Sequence, residues 1–453
     1  MLKGLFKDKK FYNTMIAITL PIALQNLITS SLNMMDTVMI GRVGEENIAA
    51  VGMANQYFFL FALLLFGINS GAAIFIAQFW GKKDIKNIRR ILGIGILLGG
   101  IVAVLFTFGA LAFPRLIMRV FTKDINVIIL GTKYLRIVSF SYIITAISFA
   151  FSIASRSIGQ AKLPMIVSGI SLIANTVLNY ILIFGNFGAP TLGIVGAAIA
   201  TLIARIIELL FLLKIIYKNR GPLAGKINKF IDINRAYLKK FFNTALPVIL
   251  NELFWSLGIT MYSVAYGRIG TGAFAAVQIA NTVQNVFMVI ARGMGSACAV
   301  MIGNELGANN EKRAIEYAKR FSILGLIIGL AIGAVLYISA PFVLYLFGVE
   351  AEVYTNAYKI LGVMALFMTF KVFTGILIVG ILRSGGDTKF SLLLEGGSVW
   401  FVGVPLAFIG ALILELPIYW VVALVSLEEI VKSLIGIPRI ISKKWVRNVV
   451  DQM

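Results

Sequence analysis

Residues 20–44 read LPIALQNLITSSLNMMDTVMIGRVG. The run is apolar and long enough to cross a bilayer, yet it carries a single carboxylate, Asp36, near its far end. Gln25, Thr29, Asn33 and Asp36 are spaced by four, four and three, so a helix of 3.6 residues per turn places them on one face. An ionised carboxylate inside a span costs roughly 2.5–3.5 kcal/mol even on the lenient insertion scale. A polar stripe that ends in an acid therefore predicts a wet cavity or polar neighbours, the mark of an ion or substrate path. The bland alternative is an Asp36 that snorkels to the interface.

Working outward, apolar blocks of this length recur along the whole chain. Of 453 residues 59% are hydrophobic and only 13% charged, about half the usual globular share, which points to an all-α polytopic membrane protein. The start, MLKGLFKDKK, shows no small-residue cleavage site and predicts no removable leader. One cysteine, Cys298, excludes an internal disulfide and a multi-thiolate metal site. With no histidine in the chain, any proton chemistry falls to carboxylates.

Twelve spans are expected, at about 13–40, 48–78, 91–113, 131–153, 163–185, 192–217, 241–266, 275–302, 320–346, 355–381, 390–412 and 416–438. Basic residues then sort by side. The N-terminus, the loops at 82–90, 156–162, 312–320 and 383–389, the 214–240 connection and the C-terminus take most of them. Arg42, Arg115, Arg119, Lys123 and Arg268 fall on the other side. By the positive-inside rule both termini are cytoplasmic, in a cytoplasmic (inner or plasma) membrane. The net charge of +21 is thus a topology signal, with some attraction to anionic lipid, and not a nucleic-acid signal.

A shift of 226 aligns the chain with itself. Leu20-Pro21 meets Leu246-Pro247, Gly41-Arg42-Val43-Gly44 meets Gly267-Arg268-Ile269-Gly270, Ala54-Asn55 meets Ala280-Asn281, and Gly81 meets Gly307. At a shift of 227, Arg156, Gly159 and Lys162 meet Arg383, Gly386 and Lys389. The chain is a duplicated six-helix unit: 1–213, a basic linker at 214–240, and 241–453. An even number of spans per unit makes the repeats parallel. Two six-helix lobes around a central cleft are the expected architecture, with rocking between them giving alternating access.

These stretches resemble a known family. LP-x4-N…MDTVMIGRVG, the AAVG-x2-N run, Asn175-x3-Asn179 before ILIFG, GAAIAT at 196–201 and LRSGGDTK at 382–389 are similar to the multidrug and toxic compound extrusion (MATE) family, over essentially the whole chain. The resemblance implies a secondary-active antiporter, not an enzyme. It would export cationic, amphipathic compounds against Na+ or H+, with no cofactor beyond the coupling ion. Partners would be small molecules and the lipid bilayer, without nucleic acid, and a monomer is expected.

Residue by residue, the resemblance makes Asp36 the cation-coupling carboxylate. Asn175, Asn179 and Thr201 become its partners, and these are also the Na+ ligands if Na+ is used. Pro21 would be a bend or hinge, although a static kink fits the residue equally. Ser168, Ser171, Asn175 and Asn179 share one helix face, which could equally be interhelical glue.

Two departures stand out. Asn179 is an amide where the DinF-like branch often has an acid. The tenth span reads Thr369-Phe370-Lys371-Val372, without the acid of the NorM-like branch. Glu252 is then a second coupling acid, a counter-charge for cationic substrates, or an ion-pair partner of Lys371. Gln25, Asn33, Gln278, Asn281 and Lys371 join it as candidates for a substrate cavity or secondary coupling. Arg205 and Glu208, three apart, are expected to pair. No P-loop glycine motif supports an ATP-driven pump. The competing function is a lipid-linked precursor flippase of the same superfold, which would favour a cavity denser in cations than one containing Lys371 alone.

Overall fold

The computed structural model describes residues 8–345 and 347–451, except for the side chain of Asn33, whose expected role therefore lies outside the described residues. The chain is helical throughout: α1 Lys9–Gly41, α2 Glu45–Gly81, α3 Ile85–Ala112, α4 Pro114–Phe121, α5 Ile125–Val138, α6 Phe140–Ser157, α7 Lys162–Phe184 and α8 Ile194–Lys218. A single turn, α9 (Asn228–Ile231), precedes α10 Arg235–Ile269, α11 Thr271–Gly307 and α12 Glu311–Tyr345. Then come α13 Ala351–Arg383, α14 Thr388–Ile413 and α15 Ile418–Ile441.

Among the described residues nine helices are long and apolar enough to cross a membrane, and α5 with α6, bent by 48°, makes a tenth. The other two long helices, α8 and α15, carry charges within the span, Arg205 and Glu208 on one and Glu428, Glu429 and Lys432 on the other. Counting these gives the twelve helices expected from the sequence. The charges that blur the last two are paired within their own helices, which is how a span tolerates them.

The helices form two compact units. One contains residues 24–76 and 83–241, the other 1–23, 77–82 and 242–453. Helix α1 changes unit between Ala23 and Leu24, two residues after Pro21, so the proline sits where the helix passes from one packing environment to the other.

In the first unit, Phe61 stacks on Tyr142 with ring centroids 4.9 Å apart, within an apolar core drawn from α2, α3, α5, α6 and α8. The connection between α8 and α10 docks on α3: Phe230 is buried, and Gly93 lies so close to its carbonyl that a Cβ would collide. Asp232 is tied to Arg90, whose hydrogen bond holds its carboxyl below the usual range.

In the second unit the paired glycines of the repeat explain themselves. A Cβ on Gly81 would strike the Asn304 carbonyl and one on Gly307 the Gln78 carbonyl, so the ends of α2 and α11 cross backbone to backbone. Gln78, fully buried, donates to the carbonyls of Ser384 (3.0 Å) and Arg447 (3.2 Å) and accepts from the Val449 amide (2.8 Å), which ties down the C-terminal segment. At the other end Arg320 pairs with Asp8 at 2.9 Å and lies over Phe11. A π-helical turn over Ile376–Arg383 closes α13, a place where one extra residue can be taken up between matched landmarks of the two repeats.

Candidate functional site

In the first unit, α1, α7 and α8 bring together the four residues expected to handle a cation. Asn179 and Asn175, one turn apart on the buried face of α7, are 0% and 1% exposed. The Asn179 amide nitrogen donates to the Asp36 carboxylate at 2.5 Å and to Asn175 Oδ1 at 2.9 Å. Asn175 Nδ2 in turn reaches the Thr201 hydroxyl at 3.5 Å.

A hydrogen bond to a charged group is worth about 1.5–3 kcal/mol, comparable to the cost of holding the carboxylate in the span. Asp36 is therefore supported by its neighbours rather than by the interface. Asn179 Oδ1 is buried with no partner, an acceptor left over beside a carboxylate. Carboxylate, amide and hydroxyl oxygens suit a hard cation. No cluster of three or more acid, histidine or cysteine side chains exists among the described residues, so a site of soft or multi-carboxylate type has no support here. Tyr134, buried on α5, meets the Thr201 hydroxyl and lies within the field of Asp36. The sequence reading missed it, because nothing in the apolar context of α5 sets this tyrosine apart.

A cavity of about 310 Å³ opens beside this site, lined by Gln25, Thr29, Ser148, Arg156, Arg205 and Glu208 among others. Arg156 donates to Gln25 Oε1 at 2.5 Å, Gln25 Nε2 donates to Ser168 at 2.9 Å, and Arg205 pairs with Glu208 at 2.8 Å. Gln25 is thus a buried link to Arg156 as well as a cavity wall.

The matched arginine of the second unit makes the matched reach. Arg383 pairs with Glu252 at 2.7 Å and with Glu395 at 3.3 Å, and Asn251 also donates to Glu395. Of the three roles open to Glu252, the structure places it in an ion cluster with Arg383, away from Lys371.

Lys371 lines a separate cavity of about 340 Å³ together with Gln278, Asn281, Gln284, Asn285, Tyr262, Glu428 and Glu429. Its ammonium donates to Gln284 Oε1 at 2.7 Å. The two glutamates are held otherwise. Lys432 lies 3.2 Å from Glu428 and 3.3 Å from Glu429, Tyr262 donates to Glu428 at 2.5 Å, and Thr374 donates to Glu429. The run Glu428-Glu429-x-x-Lys432 within an apolar span was the available sequence signal for this cluster.

The MatE family model matches residues 21–181 and 247–409, once in each repeat. The probable multidrug resistance protein YoeA of Bacillus subtilis is 27% identical over 406 residues, 88% of this chain and 86% of that protein. The probable multidrug resistance protein NorM of Thermotoga maritima is 23% identical over 437 residues, covering 96% of this chain and 93% of its own. Among solved structures, a MOP superfamily transporter from Pyrococcus furiosus shares the fold with a TM-score of 0.85 at 21% identity, 95% of each chain being covered.

Proposed function

The chain belongs to the MatE family of membrane transporters, and from that premise we propose that it is a multidrug efflux antiporter. It exports cationic amphipathic compounds in exchange for Na+ or H+ through alternating access of its two repeats. The carrying observation is the Asp36–Asn179–Asn175–Thr201 chain of hydrogen bonds within the apolar spans. The names of the relatives, probable multidrug resistance proteins, support the substrate class.

The coupling chemistry follows from the donor set. Without a cation, Asn179 turns its amide nitrogen to the ionised Asp36. Arrival of Na+ neutralises the carboxylate, and rotation of the Asn179 amide would offer Oδ1, now partnerless, as a further oxygen ligand. Arrival of H+ neutralises it equally, and the protonated carboxyl then needs only an acceptor. Either event removes a charge from the span and changes what α1 holds through α7. Pro21 lies where that helix passes between packing environments, which makes it the natural place for the change to be expressed as a bend. Charge neutralisation at Asp36 and substrate release are then coupled states of one helix.

The test is efflux of ethidium from cells making the protein, in buffer containing Na+ or K+. Faster efflux than from cells without it supports the reading, and Na+ dependence selects the ion. No acceleration under either condition would move the lipid-flippase alternative ahead.

A further inference from the structure

The cavity around Lys371 has a chemistry of its own. Two cations approach it from helices of the same unit. Lys371 on α13 donates to Gln284 Oε1 at 2.7 Å, and Arg292 on α11 donates to Asn285 Oδ1 at 2.5 Å. Among the described residues neither cation has a carboxylate oxygen within 4.0 Å, although both lie within helices of the span set.

The acids near by are already satisfied. Glu428 takes Tyr262 and Lys432, and Glu429 takes Thr374 and Lys432. Lys371 has three N–H donors and spends one on Gln284. Because the cations occupy the amide oxygens of Gln284 and Asn285, the N–H groups of those amides are the ends left to donate. Gln278 and Asn281, on the same helix and lining the same space, add two more amides. The cavity is therefore rich in donors and positive charge, with its carboxylates neutralised internally. Trp255, Tyr266, Met364 and Phe367 supply the apolar walls, and about 340 Å³ is within the range of small-molecule sites.

We propose that this cavity binds amphipathic organic anions of the aromatic carboxylate type, with Lys371 and the amide N–H groups of α11 on the carboxylate and the aromatic walls on the ring. Arg292 is a positioning residue: it fixes Asn285 and adds positive potential without lining the cavity itself. A carboxylate is favoured over a cation because a cation would meet Lys371 at close range with no free acid to offset the repulsion. The consequence for transport rests on the efflux reading above: the exported compounds then include carboxylate-bearing amphiphiles as well as cations. The binding itself does not rest on that reading.

A matched pair of probes separates the possibilities. Binding of 2-naphthoate and of 2-naphthylmethylammonium to the purified full-length protein in detergent is followed by tryptophan fluorescence and calorimetry. Saturable naphthoate binding is expected, weakened about 10-fold by Lys371→Met and about 3-fold by Arg292→Gln, and largely kept by Lys371→Arg, with melting temperatures as the check on folding. The ammonium probe should lose nothing in Lys371→Met. Absence of saturable naphthoate binding to the wild type overturns the proposal, and so does equal naphthoate affinity in a folded Lys371→Met. If that variant does not fold, unchanged affinity in Arg292→Gln overturns it instead. Naphthoate binding with no ethidium efflux would instead sink the transport reading and leave this site standing.

Discussion

Asp36 and Tyr262 stand at the same place in the two repeats, 226 positions apart, and meet opposite fates. Asp36 is a carboxylate supported by amides, with an unused acceptor, Asn179 Oδ1, beside it. Tyr262 is a phenol that donates to Glu428, whose charge is already matched by Lys432. The last long helix of each repeat shows the same inversion: Arg205 precedes Glu208 on α8, and Glu429 precedes Lys432 on α15. Both repeats share a proline in the first helix, the small-residue crossing and an arginine reaching back to that first helix. Duplication thus copied a scaffold that apolar periodicity specifies, while a few polar substitutions turned one copy toward cations and the other toward donors. The first copy is short of donors and the second is short of free acceptors.

The comparison breaks first at Asp36. Asp36→Asn should reduce ethidium efflux to the level of cells lacking the protein, since the neutral amide fixes one state of the cycle; the corresponding Tyr262→Phe should keep ethidium efflux. Equal losses in both would mean that the copies are functionally alike.

Next is the reaching arginine. Arg383→Met leaves Glu252 and Glu395 buried without their cation and should cost about 3–5 kcal/mol, read as a large drop in melting temperature of the purified protein. Arg156→Met removes a partner of neutral Gln25, and the expected loss is smaller, about 1–3 kcal/mol. Reversal of that order would contradict the charge assignment of the two clusters.

The smallest effect is expected at Thr201. Its hydroxyl stands at the far end of the chain from Asp36, so Thr201→Val should shift the Na+ or H+ concentration for half-maximal efflux only several-fold, by about 1 kcal/mol. A null result in that titration would remove Thr201 from the cation set while leaving Asp36 in place.

Much of this arrangement can be read from the chain because helix geometry is local. The four- and three-residue spacings place Asn175 and Asn179 on one face, and both are buried there, with Asn179 on Asp36. The self-alignment likewise pairs Gly81 with Gly307, and only the structure explains the pair as a backbone crossing too tight for a Cβ. What periodicity does not carry is the choice of partner between helices. Nothing within α10 or α13 says that Glu252 will meet Arg383 and that Lys371 will meet Gln284. Nor does the apolar surrounding of Tyr134 announce its contact with Thr201. Such pairings depend on how α10, α11, α13 and α15 rotate against one another, and a single substitution of polarity in one helix reassigns them all.

Coupling at Asp36 is the claim on which the functional account stands, and reconstituted vesicles test it most directly. The purified wild type and Asp36→Asn are placed in proteoliposomes, and movement of a fluorescent cationic dye is followed after imposing a Na+ gradient, then a proton gradient. The account predicts that at least one gradient accelerates the wild type and that Asp36→Asn responds to neither. A variant that follows the gradient as the wild type does would show that the coupling charge lies elsewhere in the molecule.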